Sequence, residues 1–151
     1  VGVMATFDSI EAFEQYAKKI INQSLQEAGQ EVVDKMKVTI QSLAYGTYTP
    51  VMHKRTGRLA NAPRIISKGD LFISVGIDQG GEAGFLDGYE NFETIIDEFS
   101  AGRIISHESV MGARPPLIVY RPAVPLCSTL TKDINELEKK FIAKLKSNGL
   151  L

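Results

Sequence analysis

Two histidines, one cysteine, one adjacent pair of carboxylates and a glycine-rich stretch are the residues of this chain whose types could do chemistry. His53 and His107 fall in separate segments, without the converging His, Cys or carboxylate ligands that a metal ion demands at recognisable spacing. Asp97 and Glu98 are consecutive, and neighbours on a strand point to opposite faces, so they do not form an acid/base pair by themselves. A small hydrolase built on His107 with Asp97 or Glu98 therefore ranks last among the function classes. Cys127, the only cysteine, excludes an internal disulfide and a thiolate zinc site. It could act as a nucleophile only beside a histidine delivered by the fold, and it is expected to be a small buried hydrophobe. Gly80, Gly81 and Gly84 do not follow a strand into a helix, and no Lys-Ser or Lys-Thr completes a phosphate loop. No catalytic, cofactor-binding or metal residue is expected, and no cofactor.

The remaining candidate is a basic cluster. Lys54, Arg55, Arg58, Arg64 and Lys68 could contact phosphates, which makes a nucleic-acid-binding module using the Lys54–Lys68 segment the alternative reading. Against it, the net charge is −1, tryptophan is absent, and aromatic side chains are not interleaved with the basic ones. The near-zero net charge conceals a segregation. From Lys35 to Gly69 there are seven basic residues and no acid, while from Asp70 to Gly102 there are eight acids and no base. Such stretches either pair within one subunit as solvated charges or meet between subunits, where they would fix orientation and speed assembly.

A long helix must carry the first part of the chain. From Asp8 to about Ala44 apolar residues recur with helical period, through Ile10, Phe13, Ala17, Ile20, Ile21, Leu25, Ala28, Val32, Met36, Ile40 and Leu43. Thr6 and Asp8 are the candidate caps, and Asp8 with Glu11 has capping-box spacing. Gly29 costs about 1 kcal/mol relative to alanine in a helix, which predicts a bend or a division there. Unbroken, the helix would run roughly 55 Å, whereas a compact domain of this length is about 40 Å across. One end should then project, and its apolar stripe needs a second surface, either the C-terminal helix or a neighbouring subunit.

Beyond it the period changes. Arg64–Lys68 and Leu71–Ile77 are β-branched runs about a Lys68-Gly69-Asp70 turn, the signature of a hairpin. Asp78 to Glu90 is acidic and glycine-rich and reads as a loop. Phe92 to Phe99 fits a helix turn or a strand equally, and Leu117 to Tyr120 reads as a strand between prolines. From Ser128 or Thr131 to about Lys146 a helix returns, with Leu130, Ile134, Leu137, Phe141, Ile142 and Leu145 inward and Gly149 closing it. The 151 residues, 44% hydrophobic and 23% charged, match one globular domain spanning 1–151. The expected fold is α+β: a long N-terminal helix, a central antiparallel sheet of about three to four strands and a C-terminal helix. No apolar run reaches the ~20 residues of a bilayer span, and Val1 to Phe7 lacks the basic region and apolar core of a signal peptide, so no membrane partner and a cytoplasmic origin are expected.

His53-Lys54-Arg55-Thr56-Gly57-Arg58-Leu59, lying between long helix and hairpin, resembles the Thr-Gly-Arg-Leu element of the tail-completion, or neck, proteins of long-tailed bacteriophages. Tyr48 to Met52 is similar to that family's lead-in. Ile96 to Gly102 is similar to its "glutamate, aromatic, glycine" element. Ala113 to Leu117 with Tyr120 to Val124 is similar to its proline-rich strand ending in Arg-Pro-Ala. Ser100-Ala101 and the long acidic stretch from Asp78 to Asn91 depart from the pattern. The resemblance implies a non-enzymatic subunit of the head-tail junction in the virion, made in the host cytoplasm. It would form a ring of about six or twelve copies around the DNA channel, contacting connector or adaptor proteins, tail tube or terminator proteins and packaged DNA.

For assembly or DNA-channel contacts, the residues singled out are Arg55, Thr56, Gly57, Arg58, Leu59, Asp87, Glu90 and Arg121. The packing alternative gives Thr56-Gly57 a turn, Leu59 a place in the core, and Arg121-Pro122 the end of an edge strand. The free protein is expected to be monomeric, with Tyr45–Pro63 and Asp78–Asn91 ordering on docking.

Overall fold

A computed structural model describes residues 6–46, 59–78 and 123–151 with their side chains, and residues 103–106 and 118–121 as backbone. Helix α1 spans Ile10–Ile40 and continues into a π-helical turn, Gln41–Tyr45. Its cap is Ser9, whose Oγ accepts from the Ala12 amide at 3.1 Å, and not Thr6 or Asp8. The boundary is set by packing just upstream, where the Phe7 ring lies 5.3 Å from Phe13 and 5.0 Å from Tyr16.

Gly29 neither bends nor divides α1, which runs through it unbroken. The glycine is buried because strands β1 (Pro63–Gly69) and β2 (Phe72–Ile77) form a hairpin that lies on α1 at this point. A Cβ there would stand 2.5 Å from Ile73 Cδ1 and 3.3 Å from Val75 Cγ2. Gly29→Ala is expected to be nearly neutral: the ~1 kcal/mol gained in helix propensity offsets the turning aside of the flexible Ile73 terminus. Gly29→Leu is expected to cost about 2–3 kcal/mol by forcing the hairpin away from α1, as read by urea denaturation.

The antiparallel hairpin stands as predicted, paired from Pro63↔Ile77 to Gly69↔Phe72 with a bulge between Ile65 and Ser67. Its inner face puts Ile73, Val75 and Ile77 towards α1, alternating with exposed Phe72 and Ser74. Strands β3 (Arg103–Ser106) and β4 (Ile118–Arg121) pair antiparallel in a second, separate ladder. The sheet on α1 therefore has two strands rather than the expected three to four. The Leu117–Tyr120 run is matched by β4, and Phe92–Phe99 lies outside the described residues.

The C-terminal helix is two helices. α2 (Leu126–Asn135) starts before Ser128 and Thr131, because Pro125 begins it while Ser128, Thr129 and Thr131 hydroxyls donate backwards to carbonyls of the preceding turn. It breaks at Glu136, and α3 (Leu137–Ser147) follows. The break lets both helices lie along α1. Gly149 closes α3 at φ +86°, with Leu150 N–H donating to Leu145 O at 3.0 Å, the six-to-one bond of a Schellman end. Ile142 points to solvent rather than inward.

The core gathers on the C-terminal half of α1. Val32, Met36, Ile40 and Ala44 pack with Leu59, Ala60, Ala62, Val124, Leu126 and Leu130, all buried. The described architecture is α+β, as the sequence predicts, with the hairpin on one side of α1 and α2–α3 on another.

Candidate assembly surfaces

Four polar contacts clasp α3 antiparallel to α1. Lys35 Nζ lies 2.7 Å from Glu136 Oε1, Lys140 and Lys144 Nζ lie 3.2 and 2.5 Å from the Glu31 carboxylate, and Asn148 Nδ2 donates to Ser24 Oγ at 3.0 Å. Below them Asp133, 2% exposed, accepts from Thr39 Oγ1 at 2.5 Å, with Lys35 Nζ at 3.5 Å.

Hydrogen bonds from Lys144 and then Lys140 hold the Glu31 carboxyl below the usual carboxylate range, and Lys35 does the same for Glu136. Glu136 and Glu31 in turn raise Lys35 and Lys144 above the usual ammonium range. A carboxyl lowered by folding stabilises above its unfolded pKa, and that contribution is lost as pH falls through the folded one. A raised lysine stabilises below its unfolded pKa and loses this as pH rises through the folded value. The clasp should hold at neutral pH and weaken at both extremes. Thermal melts should show a falling acid limb below about pH 4 that is shallower in Glu31→Gln and Glu136→Gln.

The hairpin tip is fixed from α1. Asn22 Nδ2 donates to Asp70 Oδ1 at 3.1 Å, and the Leu71 amide donates to Asn22 Oδ1 at 2.8 Å. Leu71 has φ +61°, a left-handed conformation costly for a leucine, and its side chain is exposed. Asp70 thus bonds to Asn22, and among the described residues Lys68 forms no ion pair. Within the basic stretch, Lys35 pairs with Asp133 and Glu136, and Arg64 lies 3.6 Å from Asp78, so two of its charges are answered inside the subunit.

Of the residues singled out for assembly, Arg55, Thr56, Gly57, Arg58, Asp87 and Glu90 lie outside the described residues, as do His53, His107, Asp97, Glu98 and the Gly80–Gly84 run. Arg121 ends β4 opposite Arg103, described as backbone alone. Leu59 is in the core, 7% exposed. The Ala60 amide donates to Tyr45 Oη at 3.3 Å, and at the base of the hairpin the Asp78 amide donates to Ala62 O at 2.9 Å. Cys127 is exposed in the first turn of α2, correcting the expectation of burial; α2 turns Leu126, not its neighbour, into the core.

Sequence reasoning missed the Asn22 clamp and the Asp133–Thr39 bond, which join residues far apart in the chain. A buried aspartate amid the apolar period Leu130, Ile134, Leu137 was the signal for the second. Among the described residues no group of His, Cys, Asp or Glu could hold a metal ion, and no described helix is long and apolar enough to cross a membrane.

A long helix braces a hairpin and a helix pair, and its polar contacts hold these elements together. The chain belongs to the HK97-gp10-like family: residues 5–86, more than half of its length, match the family model described as "Bacteriophage HK97-gp10, putative tail-component". It is a structural component of a phage tail, and hence of the virion, in agreement with the resemblance carried by the Arg55–Leu59 element. The matched region takes in α1, that element and the hairpin. No curated protein and no solved structure matches the chain.

Proposed function

We propose that the chain, as one domain over 1–151, forms a ring that completes the tail and joins it to the connector around the DNA channel. The observation that carries this reading is the family match across the helix, the Arg55–Leu59 element and the hairpin. Within it, α1 extends beyond both elements packed on it, as a part built to meet another subunit would. At about 1.5 Å per residue its 31 residues run roughly 46 Å, more than the ~40 Å breadth of a compact domain of this size.

The ring would hold about six or twelve copies and touch connector or adaptor proteins on the head side, tail tube or terminator proteins below, and DNA within. Arg55, Thr56, Gly57, Arg58, Asp87, Glu90 and Arg121 would supply the contacts, Arg55 and Arg58 to the acidic segment of a neighbour or to DNA, with Leu59 in the core beside the basic segment. The role is structural rather than enzymatic, and assembly takes place in the host cytoplasm. Electron microscopy of the protein mixed with tailless heads and free tails tests the proposal. Joined particles that depend on added protein are expected; heads and tails that join equally well without it would sink the idea.

A further inference from the structure

Three lysines repeat at seven-residue intervals along the C-terminal helices, Lys132 in α2 and Lys139 and Lys146 in α3. Seven residues are almost two helical turns, and a straight helix drifts only about 20° per heptad, so the three side chains share one face. Glu136 at the break keeps right-handed helical dihedrals, φ −78° and ψ −7°, which carries that phase from α2 into α3. The opposite face is the packed one: Leu126, Leu130, Asp133 and Leu145 are buried there, and Ile134 and Leu137 lie against the core. The lysines therefore stand on the face turned away from α1, and all three are exposed.

None of the three has an acidic partner among the described residues, in contrast to the other lysines of α3. Lys140 and Lys144 are held by Glu31, as Lys35 is by Glu136 and Asp133. The clasp thus sets three cations against three carboxylates and cancels none of the charge on the row. Glu138, the one acid of α3, lies about 100° round the helix from Lys139 and off the row. The exposed residues between the lysines, Asn135 and Ala143, are short, and exposed Ile142 sits to one side.

We propose that this lysine row is a binding surface for the phosphate backbone of duplex nucleic acid. Within α3, Lys139 and Lys146 are roughly 10.5 Å apart along the axis, about three steps of a strand that advances about 3.4 Å per phosphate. A helix laid against the backbone then meets phosphates at the interval its lysines repeat. A protein partner fits this face less well, because the centres of protein interfaces are poor in lysine and rich in large apolar groups, whereas here lysine is central. Contacts from ammonium to phosphate position the duplex without reading its sequence. The inference goes beyond the proposed ring and does not need it, since one subunit presents the whole row.

Fluorescence anisotropy of a labelled duplex of mixed sequence, titrated with the full chain from about 50 mM salt upward, tests this. The wild type is expected to bind with an affinity whose logarithm falls linearly with that of the salt concentration. The triple variant Lys132→Gln, Lys139→Gln, Lys146→Gln should make that slope shallower by about 3 and lower the low-salt affinity at least about tenfold. Its melting temperature should not move, since the three side chains stand clear of the core. The matched variant Lys18→Gln, Lys19→Gln, Lys37→Gln removes equal charge from α1 and should leave the slope within about 1 of the wild type. An equal fall in the matched variant would reduce the row to net charge and overturn the assignment. So would an unchanged slope in the row variant, or a wild type that leaves the duplex free at low salt. Retention of polyglutamate in place of the duplex would give the row to an acidic protein and overturn it as well. None of these outcomes bears on head-tail joining, which tests the ring by itself.

Discussion

Asp133→Ala is expected to unfold about 3 kcal/mol more easily than the wild type, because a buried hydrogen-bonded carboxylate is removed and its partner is left behind. Asp133 is 2% exposed and bonded to Thr39 Oγ1 at 2.5 Å, and it is the one buried charge in the interface of α1 with α2. For a chain of this length such a loss lowers the melting temperature by roughly 6–12 °C. Asp133→Asn, which can still accept from Thr39, should lose less, and Thr39→Val should lose about 1–2 kcal/mol. The double variant Asp133→Ala, Thr39→Val should fall short of the sum, since both changes remove one contact. Additive losses, or a wild-type melt for Asp133→Ala, would show that the bond contributes nothing.

Reversing charge at Arg55 and Arg58 is expected to abolish head-tail joining, and reversing Asp87 and Glu90 as well should partly restore it. The basis is the segregation of seven bases from Lys35 to Gly69 and eight acids from Asp70 to Gly102. Lys35 and Arg64 have partners inside the subunit, so the prediction is confined to charges that those contacts do not use. Reversal of charges facing one another between copies replaces attraction by repulsion, and restoring opposite signs removes it. Particle counts by electron microscopy at physiological salt give the readout. Intact joining by the Arg55, Arg58 variant would return the segregated charges to pairing within one chain. Failure that reversal of Asp87 and Glu90 does not relieve would point to DNA in the channel as the partner.

Periodicity is a local property, and the elements that depend on it were legible in the sequence. The stripe from Ile10 to Leu43, the β-branched runs about Gly69 and the C-terminal period from Leu130 to Leu145 predict α1, the hairpin and the closing helices. Gly149 marks the end of α3 because a left-handed residue there is a local need. The family was legible for a related reason, since the Arg55–Leu59 element sits in order between α1 and the hairpin.

Tertiary structure decided whatever depends on residues distant in sequence. Gly29 reads as a helix breaker until Ile73 and Val75 are brought against it, and then as the contact that lets β2 lie close. The helix after Pro125 breaks at Glu136, where Asp133 and Glu136 are bonded to Thr39 and Lys35 across the chain. Cys127 faces solvent because Leu126 takes the buried position. The pairing of β3 with β4 joins short segments, and β3 has no alternation long enough to announce it. Apolar content by itself predicts burial, yet Ile10, Phe13, Ile66 and Phe72 are exposed. The sequence determined that these residues lie on one helix and one hairpin, and the packing of the hairpin on α1, with its bulge between Ile65 and Ser67, decided which of them remain uncovered.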